Sequence, residues 1–374
     1  MSASVFFCGD IINMYSQHQF IGENLKNVIR KCDFSVGNLE GVLNGEKHAP
    51  KPMMQDISTV SSLKDAGFNL MLLANNHITD YGYDKFVNTI NIIDHAGLQH
   101  IGAGLTYEDT YMPLVVNVND VKIGFVNLCE ASVGQWDPFC SQFGYAWIGD
   151  QKLAQRMTVL RKAVDFIVVC VHAGLEHETL PLPYFRCFYR TLCDLGADCV
   201  IGAHPHIVQG VEQYAKSIIF YSLGNLFFPR KPDAGKEDVE NEAFSCIITF
   251  NKDRPLEYSI VQHSVNNMVV DVEKCPKWNI ESLSNQLQNP FYEETVKLLM
   301  KETYRHHIRP QLTNAMLGTE SGDSLLKKFK FTLKYFFVDY KKTQQQRDKL
   351  LRRLIVNETY RSIIDSETKY SIDN

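Results

Sequence analysis

The chain has 374 residues, 45% of them apolar, and a formal net charge of −5. That length predicts more than one domain around a sizeable core, and the mild negative charge excludes a protein that holds nucleic acid through a strong positive field. Ten cysteines fall without CxxC spacing, which excludes a zinc ribbon or thioredoxin-type motif.

Several of those cysteines lie inside apolar runs, as Cys8 and Cys170 do. A free thiol there packs as a small hydrophobe, a usage that suits a reducing compartment. The start, MSASVFFCGD, lacks the basic and apolar regions of a signal peptide. No window reaches 18 uninterrupted apolar residues, so no membrane span is expected. The expectation is a soluble cytoplasmic protein.

From 3 to about 228, short apolar runs alternate with helical patterns. Strands are expected at 5–9 and 69–75, with helices at 56–67 (Asp56 as N-cap, Gly67 past its end) and 82–97. A hairpin is expected over 113–128, turning at Asn119 and Asp120. A helix over 150–163, a strand over 165–172, a helix over 183–196 and strands leading into His204 and over 217–225 complete the alternation. The pattern predicts an α/β layered architecture. Strands at 243–250 and 256–265 extend a sheet antiparallel, and the polar stretch 229–242 between them and the front reads as a surface loop.

After about 276 the pattern turns helical, over 279–316 and 322–362. Residues 276–374 carry 17 Lys+Arg against 12 Asp+Glu, leaving −10 over 1–275. The division expected is therefore 1–275 and a helical extension, 276–374. The stretch LLKKFKFTLKYFF (325–337) reads as an amphipathic helix packed on a core, ahead of membrane or nucleic-acid contact.

The chemistry lies at the strand ends. Asp10 follows VFFCG, Glu40 follows GNL, and Asn76 and His77 follow LMLLAN. His172 ends VVCV, with Glu176 four residues on. GAHPH carries His204 and His206, and YSLGN carries Ser222 and Asn225. Loops at the carboxyl ends of parallel strands share one edge of a sheet, where ligands bind. Two carboxylates, an amide and several imidazoles form an O/N donor set that suits Mn²⁺, Fe²⁺ or Zn²⁺. Six donors are too many for one tetrahedral ion and suit a two-metal cluster of the kind that activates water in phosphatases and nucleases. In an extended backbone i and i+2 point the same way, and proline stiffens its neighbours. His204-Pro205-His206 is thus expected to act as a rigid two-pronged donor, one prong to each ion. Glu176 is a candidate to orient His172, and Asn225 to hydrogen-bond beneath the metal loops. The ordinary alternatives are a β-turn at Asp10, a solvated acid at Glu40, a helix cap at Asn76 and a strand-end histidine at 172.

The ordered set GD, NLE, ANNH, HAGLE, GAHPH and YSLGN, with the spacer LKDAGFNLMLLANNHITDYG and a downstream IGAG, resembles the CapA family of poly-γ-glutamate capsule biosynthesis, a branch of the calcineurin-like metallophosphoesterases. The resemblance covers about 3–228. It implies a four-layer α-β-β-α sandwich, two divalent metal ions and phosphoester hydrolysis. By position it implies metal ligands at Asp10, Glu40 (bridging), Asn76, His172, His204 and His206, a catalytic His77, and Lys51 as a contact for an anionic or phosphorylated substrate, small or polymeric. The wider superfamily carries histidine where this chain has Ile12 and aspartate where it has Glu40, which leaves the first metal one ligand poorer. Three functions stand open: hydrolysis of a phosphoester, a non-catalytic metal-binding accessory role in capsule or polyglutamate assembly, and hydrolysis of another bond such as a γ-glutamyl amide.

Overall fold

The first strand sets the frame: β1 (Ser2–Ile11) is followed by α1 (Glu23–Arg30) and by β2 (Phe34–Leu39), which lies parallel to it. Two three-residue strands, β3 (Val42–Asn44) and β4 (Met54–Asp56), pair with each other before α2 (Ser58–Ala66) and β5 (Leu70–Leu72). Next come α3 (Gly82–His95), β6 (Gln99–Ile101), the short β7 (Ala103–Gly104) and α4 (Tyr107–Tyr111). The hairpin of β8 (Leu114–Val118) and β9 (Val121–Cys129) turns on Asn119 and Asp120, at φ 50° and 63°. That pair of left-handed residues matches the right-handed twist of the strands. The chain continues through β10 (Gly144–Tyr145), α5 (Leu153–Arg161), β11 (Phe166–His172), α6 (Pro183–Asp194) and β12 (Cys199–Ala203). It ends its sheets with β13 (Val211–Tyr214), β14 (Ser217–Phe220), β15 (Asn225–Phe227), β16 (Glu242–Asn251), β17 (Glu257–Asn266) and β18 (Val269–Val272), then α7 (Ile280–Leu287). This computed structural model describes residues 2–15, 17–45, 51–132, 134–136, 142–229, 239–273, 277–311, 354 and 356–372.

Two sheets carry the first unit, which comprises Met1–Glu130 and Gly134–Asn289. One runs β18-β17-β16-β1-β2-β5-β6 and the other β13-β14-β12-β11-β9-β8. Alternation along β1 divides its side chains between two cores. Val5 and Phe7 face Val36 and Leu70 of their own sheet and Phe125, Val168 and Ile201 of the other. Phe6 and Cys8 face outward onto Leu25, Leu63 and Phe86 of α1, α2 and α3. On the far side α5 packs on β11, and α6 on β12 and β14. The layers run helix, sheet, sheet, helix, the α-β-β-α order that the family resemblance implies.

At its carboxyl end β1 changes partner. Residues up to Phe7 pair antiparallel with β16, whereas Asp10 and Ile11 pair in parallel with Asn225 and Phe227 of β15. A glycine permits this crossing: a Cβ on Gly9 would stand 1.8 Å from the carbonyl oxygen of Gly224. That same oxygen accepts the Asp10 N–H at 3.1 Å.

Some local expectations shift. The 56–67 helix begins at Ser58, with Ile57 at the cap position. Asp56 ends β4 instead, and its carboxylate accepts the Ser58 N–H at 2.8 Å, so it serves the helix from one residue further out. The first unit extends to Asn289 and takes in α7, where Ser284 Oγ accepts the Val211 N–H at 3.0 Å.

The second unit comprises Ala131–Val133 and Pro290–Asn374. It holds α8 (Tyr292–Thr303), a π-helical turn over Tyr304–Ile308, and α9 (Glu358–Ile372). Ala131 is clasped at the start of α9: its N–H donates to the Glu358 carboxylate and its carbonyl accepts Asn357 Nδ2 at 3.1 Å. The amphipathic stretch expected at 325–337 and most of the loop at 229–242 lie outside the described residues.

Candidate metal centre

Asp10 leaves the end of β1, Glu40 follows β2, Asn76 and His77 follow β5, His172 closes β11, and His204 and His206 follow β12. These are carboxyl ends of parallel strands from both sheets, and they meet. Asn76 Oδ1 lies 2.9 Å from His172 Nε2, which lies 3.1 Å from His204 Nδ1 and 3.7 Å from Glu40 Oε1. Donors bound to one ion at about 2.1 Å stand roughly 3.0–3.5 Å apart, so this spacing suits a shared cation. Beside it, His206 Nδ1 lies 3.2 Å from Asp10 Oδ2 and 4.0 Å from Glu40 Oε2. Two three-residue groups therefore emerge, Glu40 with His172 and His204, and Asp10 with Glu40 and His206. Glu40 belongs to both, one carboxylate oxygen toward each.

The His-Pro-His segment does this in an unexpected shape. It is not an extended two-pronged strand, because His204 and His206 both take positive φ, 97° and 60°. The cause lies in the backbone: the His204 N–H turns onto Asp10 Oδ2 at 3.1 Å, and the Pro205 carbonyl accepts the His177 N–H at 2.8 Å. Left-handed geometry at a residue with a Cβ costs about 1–3 kcal/mol. A hydrogen bond to a buried carboxylate, at roughly 1.5–3 kcal/mol, offsets a cost of that size.

Electrostatics make the cluster expensive to bury. Asp10 and Glu40 are fully buried and Glu130 is 1% exposed. Their described ion-pair partners are histidines. Burial pushes the Asp10 carboxyl upward, but His172 and His206 outweigh it and hold the group well below the usual carboxylate range. Burial brings His172 down to about 4, so it is a neutral imidazole with a lone pair to give. His204 is also disfavoured as a cation by burial, yet the adjacent Glu130 carries its net shift upward. Buried carboxylates are stable when paired or coordinated to a cation.

The neighbours of the cluster are partly those expected. His77 Nδ1 faces Asp80 Oδ2 at 2.7 Å, leaving Nε2 toward Glu40 Oε1 at 3.9 Å. Asn225 Oδ1 meets His206 Nδ1 at 2.9 Å. Glu176, a candidate to orient His172, is half-exposed 3.7 Å from His177, and its charge favours the cation of His204. On its Nδ1 side His172 meets Asn38 Nδ2 at 3.0 Å and Asp10 Oδ1 at 3.5 Å. Lys51 is exposed just before β4, and no hydrogen bond or ion pair among the described residues ties its ammonium to the cluster.

Four residues escaped the sequence reading. Glu130 Oε1 lies 3.2 Å from His204 Nε2, on the ring edge opposite the cluster. It stands directly after β9, so the strand-end pattern that found the others pointed to it as well. Asn38 donates to Asp10 Oδ1 at 2.5 Å. Asn75 ties two loops together, accepting the Gly41 N–H at 3.1 Å and donating to the Leu39 carbonyl at 2.9 Å. Gln55 accepts the Asn13 N–H and donates to the carbonyls of Ile11 and Glu40 at 2.8, 3.1 and 2.7 Å.

Comparison with known proteins follows the same outline. The family profile described as "Bacterial capsule synthesis protein PGA_cap" matches residues 4–230. A "Capsule biosynthesis protein CapA" of Bacillus anthracis is 30% identical over 230 residues, 59% of this chain and 56% of that protein. A "PGA biosynthesis protein CapA" of Bacillus subtilis is 28% identical over 214 residues, 56% of each. The chain thus spans little more than half the length of these relatives. Among solved structures, the calcineurin-like phosphoesterase YfkN of Bacillus subtilis aligns with a TM-score of 0.44 at 15% identity, covering 77% of this chain and 96% of that one.

Proposed function

Because this chain belongs to the bacterial capsule synthesis protein family PGA_cap, we propose that it is a metal-dependent hydrolase acting on a phosphoester in capsule or polyglutamate metabolism. The observation that carries this reading is Glu40, a buried carboxylate with one oxygen in each of two adjoining donor groups. Such a residue has its chemical use between two cations. Glu40, Asn76, His172 and His204 would hold one ion, and Asp10, Glu40 and His206 the other. A bound pair of divalent ions, Mn²⁺, Fe²⁺ or Zn²⁺, supplies a water of lowered pKa and charge stabilisation on a phosphoryl group.

The chain's own residues do the rest. Asp80 Oδ2 meets His77 Nδ1 at 2.7 Å and fixes the ring with Nε2 toward the cluster. In its imidazolium form, with a proton on each nitrogen, His77 would give the Nε2 proton to a leaving oxygen and keep the one held by Asp80. The His77 side chain is 29% exposed, so a substrate at the cluster would be able to reach it. The imidazoles of His172 and His204 and the carboxylate of Asp10 are fixed in advance by Asn38, Glu130 and the His204 N–H. Preorganised donors of this kind need no rearrangement during reaction.

The test is turnover of phosphomonoesters and phosphodiesters by the purified protein with Mn²⁺, alongside His204→Ala and metal analysis of both proteins. Turnover lost together with bound metal in the variant supports the reading. Ions bound without hydrolysis of any ester would instead favour an accessory role in polymer assembly, and cleavage of a γ-glutamyl amide alone would replace the ester as substrate.

A further inference from the structure

We infer that Asn225 is a direct metal ligand, its amide oxygen taking the place left by Ile12. This rests on the two-cation reading above and names the fourth donor of its poorer half.

The side chain at position 12 is committed elsewhere. Ile12 is fully buried in an apolar group with Met53, Phe228 and Met14. Phe228 in turn sets its ring edge-on to His206, 5.3 Å between centroids. Ile12 has only hydrocarbon to offer and packs among apolar side chains, so it donates nothing to an ion beside Asp10.

Asn225 approaches from another strand. It is the register partner of Asp10 in the parallel pairing of β1 with β15. Residues so paired send their side chains to the same face of a sheet. The Gly9–Gly224 approach brings the strands this close, and Gly224 takes φ 73° to deliver the next residue. Asn225 is 1% exposed. Its oxygen points to His206, and its amide nitrogen has no hydrogen-bond partner among the described residues.

The deciding point is which nitrogen of His206 it meets. Asn225 Oδ1 lies 2.9 Å from Nδ1, the nitrogen that also lies 3.2 Å from Asp10 Oδ2 and 4.0 Å from Glu40 Oε2. A cation among these groups takes the Nδ1 lone pair, so Nδ1 carries no proton to donate to Asn225. Two lone pairs at that separation then repel unless one positive charge serves both. Donors at right angles on an ion with bonds of about 2.1 Å are roughly 3.0 Å apart, the spacing of this pair. The second ion is thus held by Asp10, Glu40, His206 and Asn225.

Crystals of the full chain grown with Mn²⁺, with the ions located by anomalous scattering, test this directly. The expected result is Asn225 Oδ1 within about 2.3 Å of the ion beside Asp10, a normal Mn–oxygen bond. An ion on Asp10 and His206 with that oxygen beyond about 3 Å overturns it, as does the absence of an ion there. Calorimetric Mn²⁺ titration gives an independent measure. Asn225→Leu should keep the tighter site and lose the weaker by more than about 100-fold, beyond the 10–100-fold typical of a residue behind a ligand. Asn225→Asp, which keeps the oxygen, should retain both. Two sites of wild-type affinity in Asn225→Leu refute the assignment and leave the two-cation reading standing; no Mn²⁺ bound by the wild-type chain refutes both.

Discussion

Gly9→Ala tests how the metal loops are held together, independently of any activity. The new Cβ would fall 1.8 Å from the Gly224 carbonyl oxygen, where real Cβ contacts stay beyond 3.0 Å. One strand must therefore retreat by more than about 1 Å, against packing that resists overfilling. The carbonyl cannot swing aside cheaply. The neighbouring Leu223 N–H is bonded to Gly202 O at 3.1 Å, and the Gly224 N–H to Ser222 Oγ at 3.2 Å. Separation breaks the Asp10 N–H to Gly224 bond and leaves buried groups unsatisfied, about 1–3 kcal/mol. Overpacking adds a further 1–3 kcal/mol or so, giving an expected loss of about 2–6 kcal/mol. Urea denaturation followed by circular dichroism measures it. Gly45→Ala is the control, since its Cβ would meet its nearest atom at 3.7 Å, and it should stay within about 0.5 kcal/mol of wild type. A Gly9→Ala protein as stable as the control refutes the interlock of β1 with β15.

Three further outcomes are expected. Burial lowers His263 to about 3. Its folded pKa thus lies below its unfolded value near 6.5, and its stabilisation is complete above pH ~6.5 and lost as pH falls toward 3. That loss is on the order of 4 kcal/mol. His263→Gln keeps a partner for Ser245 Oγ, 3.0 Å from His263 Nε2, and should flatten the stability profile over that window; an unchanged profile refutes this. Glu130→Gln should weaken Mn²⁺ binding about 10–100-fold by calorimetry, with His204 in place; unchanged affinity would mean the carboxylate does not support the ring. His77→Ala should cut ester turnover by about 10²–10⁴-fold at unchanged metal content, and Asp80→Asn by less. Loss of metal from His77→Ala would make it a ligand instead.

The convergence of Asp10, Glu40, Asn76, His172, His204 and His206 was legible because strand direction is written in the alternation of apolar runs with helical patterns. Once strands are parallel, their carboxyl ends are brought to one side, and polar residues there need no contact in sequence to meet. The hairpin at Asn119-Asp120 was legible for a similar reason, as both residues tolerate left-handed geometry. What escaped was set by tertiary partners. β3 and β4 are three residues each, too short for a periodicity. The left-handed turn at His204 is imposed by Asp10, 194 residues away in sequence, and overrides the preference of a residue before proline for extended backbone. For Glu176 the sequence left open an acid orienting His172 and a surface residue, because spacing says nothing about where a loop carries its side chain.

Several departures meet in one place. Around Asp10 the chain buries three carboxylates, twists two histidines out of their ordinary backbone range and brings two glycine backbones into contact. Elsewhere β1 keeps alternating faces and apolar cores lie between the layers, while positive φ recurs singly at Met53 and Ala215. Sequences that fold reliably agree with themselves at every level, and exceptions persist where the surroundings over-determine them. Here the over-determination is visible bond by bond, in Asn38 on Asp10, Gln55 on the Glu40 backbone and Glu130 on His204. A cluster serving only to stabilise the fold would be better built from hydrocarbon, since burying acids against imidazoles returns less than apolar packing of the same volume. Its expense makes sense if a positively charged ligand completes it, which fits the proposal of a cation on each oxygen of Glu40.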